Sequence, residues 1–394
     1  MSIAPPGQNY DYLQTAVALA ERFGVDAAER DKRGGTPKLQ RDWIRESGLL
    51  RLLIPAAYGG DGQPWSAVLR VVREFARTDA ALAHLYGYHF LSLSAVHLAG
   101  SEEQKRRYYE ETVKHNYFWG NSVNPLDDRT IGERTEGGVI VNGAKSFSSG
   151  SPDSDMLVIS WRDRETGEFY KGMVPTRRLG VQVHDDWDCM GQRQTGSGTV
   201  SFHNLRLEDE EILVRPYAQD TAFSTLTPIL SQSILASVFV GSAIGALEAA
   251  RNYTTTKARA WYRSGVSSAA EEPSTQSRYG EMWASVQAAL SLVEKAAAAL
   301  DQIWAKDVAL TQAERGECAV LVAAANVHAG NTALEITSRI FEVMGARSTA
   351  GHYGFDRFWR NVRTHTLHNP AEFKLRNVGN WFLNGQWPEP GYYS

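Results

Sequence analysis

Short β-prone runs crowd into one continuous stretch of this chain. Val139-Ile140-Val141, residues 156–161, Gly172-Met173-Val174, Val181-Gln182-Val183, residues 199–202 and Ile212-Leu213-Val214 follow one another, separated by Gly, Asn, Asp and Pro. That pattern predicts an antiparallel β domain over about residues 121–214. On either side apolar residues recur every three or four positions, as in Leu13, Val17, Ala20 and Phe23, or Val68, Val71, Val72 and Phe75. Past Thr221 the same habit returns, with Ala-rich runs at 296–300 and 320–325. Strands do not alternate with helices, which disfavours a doubly wound parallel sheet. The expected class is mainly α with a central β domain. At 394 residues the chain exceeds one ordinary core. It divides into an N-terminal helical domain (8–120), a central β domain (121–214) and a C-terminal helical bundle (221–394).

Composition narrows the function classes. Lys and Arg number 41 against 45 Asp and Glu, a net charge of −4, so no basic excess exists to neutralise a phosphate backbone. Nucleic acid is not an expected partner. Cys189 and Cys318 cannot build a disulfide framework and fit a reducing compartment. Residues 1–10 carry neither the basic start nor the apolar run of an export signal. The uncharged stretch 221–247 has a membrane helix's length, but Pro228, Gln232 and repeated Ser, Thr and Gly predict a helix buried among helices. The expectation is a cytoplasmic protein without a membrane partner. Gly-x-Gly-x-x-Gly after a strand, the phosphate-binding P-loop and Gly-x-Ser-x-Gly are all absent from the sequence. No nicotinamide, ATP or hydrolase site is visible.

Some polar residues are candidates for chemistry. Ser101 with Gln104 predicts a helix capping box. His84 and Tyr88, four apart, share a helix face and can point into one pocket; packing is the alternative use of such a stripe. His365 and His368, three apart, have a spacing that can ligate a metal on a helix. No Glu-x-x-His or His-Glu-x-x-His supplies the carboxylates, so no metal is expected. A proton-donor or hydrogen-bond role suits imidazoles, which titrate near neutrality. Eleven Trp, with Trp119, Trp187, Trp261 and Trp359 beside polar motifs, suit a planar ligand as well as a core.

Longer strings carry a resemblance. Residues 52–60 (Leu-Leu-Ile-Pro-Ala-Ala-Tyr-Gly-Gly), 142–149 (Asn-Gly-Ala-Lys-Ser-Phe-Ser-Ser) and 190–195 (Met-Gly-Gln-Arg-Gln-Thr), with Ser197 and Phe202, resemble the acyl-CoA dehydrogenase superfamily, in its order and across essentially the whole chain. The resemblance implies an N-terminal helical domain, a middle β-barrel and a C-terminal four-helix bundle, assembled as a homotetramer. Many dehydrogenases carry a catalytic Glu where this chain has His368-Asn369-Pro370, and an amide cannot abstract an acyl α-proton. Ala83-His84-Leu85-Tyr86-Gly87-Tyr88-His89, the segment 191–198 and the segment 353–365 are similar instead to the superfamily's flavin-dependent monooxygenases, the dibenzothiophene-oxidising ones above all.

That likeness implies a two-component system. A separate flavin reductase supplies FMNH2, O2 is the co-substrate, and a flavin C4a-hydroperoxide oxygenates an aromatic sulfur heterocycle to sulfoxide and sulfone. The alternatives are the same chemistry on indole or an amine, or an FAD acyl-CoA dehydrogenase. By resemblance His84, Ser149 and His368 contact the reacting flavin edge and Tyr88 lies beside the substrate. Asn121, Phe147, Ser149, Trp187, Ser197 and His365 hold the ring, while Arg259 and Arg347 grip the phosphate, one from each of two subunits. Arg347 stands where dehydrogenases have small residues beside the adenine half of FAD, and a cation there favours a terminal phosphate, hence FMN. The segment 261–273 is read as a closing lid or as a merely exposed loop.

Overall fold

The computed structural model describes residues 11–213, 221–392 and 394. The stretch 1–10 read for a leader, and Val214 of the last expected strand, lie outside them.

Six helices come first: α1 (Tyr12–Gly24), α2 (Ala27–Arg33), α3 (Lys38–Ser47), α4 (Trp65–Ala76), α5 (Ala80–Ala99) and α6 (Glu102–His115). Asp79 caps α5 by accepting from the Ala81 and Leu82 amides, both at 3.0 Å. Its other oxygen binds the buried Arg30 guanidinium at 2.5 Å. Ser101 and Gln104 form the expected capping box at the start of α6, with both reciprocal hydrogen bonds in place.

Seven strands follow: β1 (Trp119–Ser122), β2 (Ile131–Thr135), β3 (Gly138–Lys145), β4 (Met156–Asp163), β5 (Phe169–Pro175), β6 (Val181–Val183) and β7 (Val200–Glu208). The sheet runs β1-β4-β2-β3-β7-β6, with β5 also paired to β4. It is not wholly antiparallel as expected, because β1 and β2 each pair with β4 in parallel. Parallel neighbours need a long connection, and here the β2–β3 hairpin sits within the excursion from Ser122 to Met156. Ile212-Leu213-Val214 is no strand either. A capped turn at Asp209–Glu211 redirects the chain, and Ile212 makes only a single bridge to Gly172.

The last helices are α7 (Thr227–Thr256), α8 (Pro273–Trp304), α9 (Gln312–Met344), α10 (Asp356–Thr366) and α11 (Ala371–Asn384). α7 is long and apolar enough to cross a membrane, yet 89% of its most apolar window is buried within the protein. One continuous apolar core joins Phe75, Leu82 and Tyr86 of the first helices to Ile234, Phe239, Ile336 and Val362 of the last. Two glycines make this possible. A Cβ on Gly245 would fall 1.9 Å from the Arg77 carbonyl oxygen, and one on Gly87 would fall 2.4 Å from Ile234 Cγ2. Only hydrogen at these points lets α7 seat against α4 and α5. The close seating brings the middle of α5 to α7 and α10, where the candidate site lies.

Candidate active site

α5 is buried on every side, so its polar side chains must find partners or hold a site open. His84 and Tyr88 share one face, their rings 3.9 Å apart and tilted by 31°. α10 delivers His365, whose ring centroid is 4.7 Å from that of His84. Phe239 of α7 backs His365 at 6.5 Å. The Tyr88 hydroxyl shares a 3.1 Å hydrogen bond with Ser231 Oγ on α7. His368 does not sit on a helix with His365, as the metal-pair reading requires. α10 ends at Thr366, and the His368 amide donates to the His365 carbonyl at 3.0 Å in the turn before α11. Among the described residues no group of three or more His, Cys, Asp or Glu is arranged to hold a metal.

The three imidazoles are held neutral. Burial, then the nearby His368, lowers His84 to about 3. Burial, then His84 and His368, pushes His365 well below its ordinary value. His368 is lowered to about 4, first by the protein around it and then by the Lys374 ammonium. Its ring is open to solvent on one side, which tempers the first cause. Both ring nitrogens of His84, Nδ1 of His365 and Oδ1 of Asn369 are buried without a hydrogen-bond partner. Such groups are rare in a finished core, and four atoms so close together mark a place kept for a ligand.

A hydroxyl shelf of the β domain abuts this cluster. Ser149 Oγ and Ser197 Oγ lie 2.8 Å apart, and Ser197 Oγ is 2.7 Å from Thr195 Oγ1. The Asn121 amide donates to the Ser149 carbonyl at 3.1 Å. Gly150, next along, faces α5, where a Cβ would lie 3.1 Å from Leu85 Cδ2. Phe147 projects from the shelf at φ +56° with 62% of its surface exposed. Its ring meets Trp187 edge-on at 6.1 Å, and Trp187 Nε1 donates to the Gln192 carbonyl at 2.8 Å. A large apolar ring held exposed in a left-handed backbone conformation is costly unless something flat covers it.

Other residues fix the shelf to the helices. The Gln192 amide donates to Asn361 Oδ1 at 2.6 Å, and Asn361 lies one turn before His365 on α10. Arg360 donates to the Met190 carbonyl at 2.6 Å and to Asp31 at 2.5 Å. Arg259 and Arg347 are exposed at one end of the bundle, past the ends of α7 and α9. There Thr254 Oγ1 donates to the Val343 carbonyl at 3.2 Å. Neither arginine makes an ion pair among the described residues, and no described contact joins them to the imidazoles. The segment 261–273 is a loop in which Trp261 is 66% exposed, closed by a Ser268–Glu271 capping box.

Sequence reasoning missed Lys374, Asn326, Gln192 and Asn361. Lys374, buried on α11, donates to Asn326 Oδ1 at 2.8 Å, and Asn326 Nδ2 donates to the Gln232 carbonyl at 3.0 Å. A lysine at a position predicted to face inward was the available signal.

Family models of the acyl-CoA dehydrogenase N-terminal, middle and C-terminal domains match residues 10–116, 120–205 and 233–373. The probable FMNH2-dependent monooxygenase SfnC of Pseudomonas putida is 44% identical over 97% of each chain. The chain belongs to the acyl-CoA dehydrogenase family. Within it, the chain falls in the flavin-dependent monooxygenase branch. The methanesulfinate monooxygenase MsuC of Pseudomonas fluorescens superposes with a TM-score of 0.96 at 46% identity, over 98% of this chain and 100% of that one. The dibenzothiophene monooxygenase TdsC of Paenibacillus sp. A11-2 has been solved with FMN and indole. That structure superposes with a TM-score of 0.94 at 39% identity, over 97% of this chain and 99% of that one. In the terms of this family, the hydroxyl shelf, the exposed Phe147 and the four unpartnered polar atoms fit a flavin ring and its reacting edge. The Glu of many dehydrogenases is replaced by Asn369, which counts against the FAD dehydrogenase alternative.

Proposed function

We propose that this enzyme accepts reduced FMN from a separate flavin reductase and, with O2, oxygenates the sulfur of an aromatic heterocycle such as dibenzothiophene, to sulfoxide and then sulfone. Each step consumes one O2 and one FMNH2, placing one oxygen on sulfur and releasing the other as water. When bound, reduced FMN supplies the two electrons that activate O2. The observation that carries the reading is His84, a buried neutral imidazole with both nitrogens unpartnered, facing an apolar helix.

The residues divide the work. Ser149 Oγ, oriented by Ser197 and Thr195, offers a hydroxyl to the flavin edge. Phe147 and Trp187 cover the ring, and Asn121 and His365 complete its polar contacts. The His84 ring presents one N–H and one lone pair to the transferred oxygen. His368, at the turn, returns a proton at a ring nitrogen. Ile234, Leu235 and Phe239 of α7 keep water out, which suppresses release of H2O2. Tyr88, tied to Ser231, borders a flat apolar substrate. Arg259 and Arg347 take the phosphate. The bare guanidinium groups and the exposed Phe373, Phe382 and Leu383 on α11 support the expected homotetramer, checked by light scattering.

The test supplies FMNH2 from a reductase, O2 and dibenzothiophene, with catalase present, and looks for the sulfone by mass. Sulfone formation is expected, and its absence overturns the assigned acceptor. A second reading, oxygenation of a small alkanesulfinate, is favoured by the 46% identity to the methanesulfinate enzyme. Methanesulfinate and indole run in parallel as acceptors decide between them.

A further inference from the structure

Lys374 sits where two effects disfavour a cation. It is 7% exposed, and it lies in the first turn of α11, at the positive end of the helix dipole. Buried lysines usually face a carboxylate. This one makes no ion pair among the described residues. Its recorded partner is the neutral Asn326 of α9, which is itself tied to the Gln232 carbonyl of α7. α11 opens directly after His368-Asn369-Pro370, and Asn369, Pro370 and Lys374 line one groove of about 1140 Å³.

We infer that Lys374 is a positioning residue whose buried ammonium, fixed by Asn326, faces the His368 turn and keeps that imidazole in its neutral form. The inference rests on the reading of His368 as a participant in oxygen transfer. The charged and titratable groups around His368 are His84 from α5, His365 from α10 and Lys374 from α11. Of these only Lys374 carries a charge at neutral pH, and it is the charge that lowers the His368 pKa. A neutral His368 offers both a donor and an acceptor, whereas an imidazolium offers donors only. Without the ammonium, the turn would take up a proton at mildly acidic pH and lose its acceptor.

The alternative is that Lys374 merely ties α11 to α9. Imidazole Cε1 hydrogen–deuterium exchange, read by mass spectrometry on the flavin-free full chain, reports the His368 pKa without any turnover. In Lys374→Gln and Lys374→Met that pKa is expected to rise by at least one unit. In Lys374→Arg it is expected to stay within about 0.3 unit. The acid limb of product yield per FMNH2 should move by the same amount in the same variants. An unchanged His368 pKa in either neutral variant, with a wild-type melting curve, overturns the inference. If Lys374→Met does not fold, Lys374→Gln, which can still hydrogen-bond Asn326, carries the test. A shifted pKa in a protein that oxygenates no acceptor would overturn the proposed function alone. An unshifted pKa with normal turnover would overturn this inference alone.

Discussion

His84 and His89 stand five residues apart on α5, on opposite sides of it, and both are buried and lowered to about 3. His89 uses its whole ring. Nε2 bonds the Leu50 carbonyl at 2.9 Å, and Nδ1 accepts from the Trp119 amide at 3.2 Å, which pins the first helices to β1. His84 uses neither nitrogen. Burial and pKa therefore fail to separate a structural histidine from a functional one, whereas hydrogen-bond accounting does. The arginines repeat the contrast. Arg30, Arg77 and Arg360 close ion pairs with Asp79, Glu248 and Asp31, while Arg259 and Arg347 close none among the described residues.

Four experiments can break that contrast or sharpen it. The largest effect is expected from His89→Ala, which strands two buried backbone groups and should cost about 3 kcal/mol in urea unfolding. A loss below about 1 kcal/mol would remove the distinction. His84→Ala should leave the unfolding midpoint nearly unchanged, while product yield per FMNH2 falls about a hundredfold and H2O2 rises. Retained coupling would strip His84 of its role. Arg347→Ala should weaken FMN binding about tenfold, measured by fluorescence titration, whereas Arg360→Ala should lower the melting temperature. Equal FMN affinity in wild type and Arg347→Ala would contradict the phosphate assignment. The smallest effect is a slope in pH. The folded pKa of His89 lies below that of the unfolded chain, so unfolded protein takes the proton first as pH falls. Stability is then full above about pH 6.5 and is lost from there toward pH 3, by at most about 1.4 kcal/mol per unit from this site. His89→Gln should flatten that part of the curve, and an identical slope would show that other groups cause it.

Features set by neighbours in the chain were legible. The Ser101–Gln104 box, the shared face of His84 and Tyr88, and the buried character of α7 all follow from spacing within one or two turns. The family strings pointed to Ser149, Phe147 and Trp187, and the structure gathers Ser149 with Ser197 and Phe147 with Trp187. The parallel pairing of β1 with β4 was not legible, since strand-forming residues carry no mark of direction. Nor was the Gln192–Asn361 bond between partners 169 positions apart, or the use of Lys374, whose burial depends on α7 and α9 closing over it.

The sequence by itself determined the order of helices, sheet and helices, the flavin-oxygenase branch and most candidate side chains, because periodicity and long motifs are local records. Only the tertiary structure decided which of two buried histidines on one helix keeps its nitrogens free. That outcome depends on where a single apolar core, shared by the first and last helices, brings α10 and the turn after it. Distances of that kind are fixed by packing between segments almost three hundred residues apart.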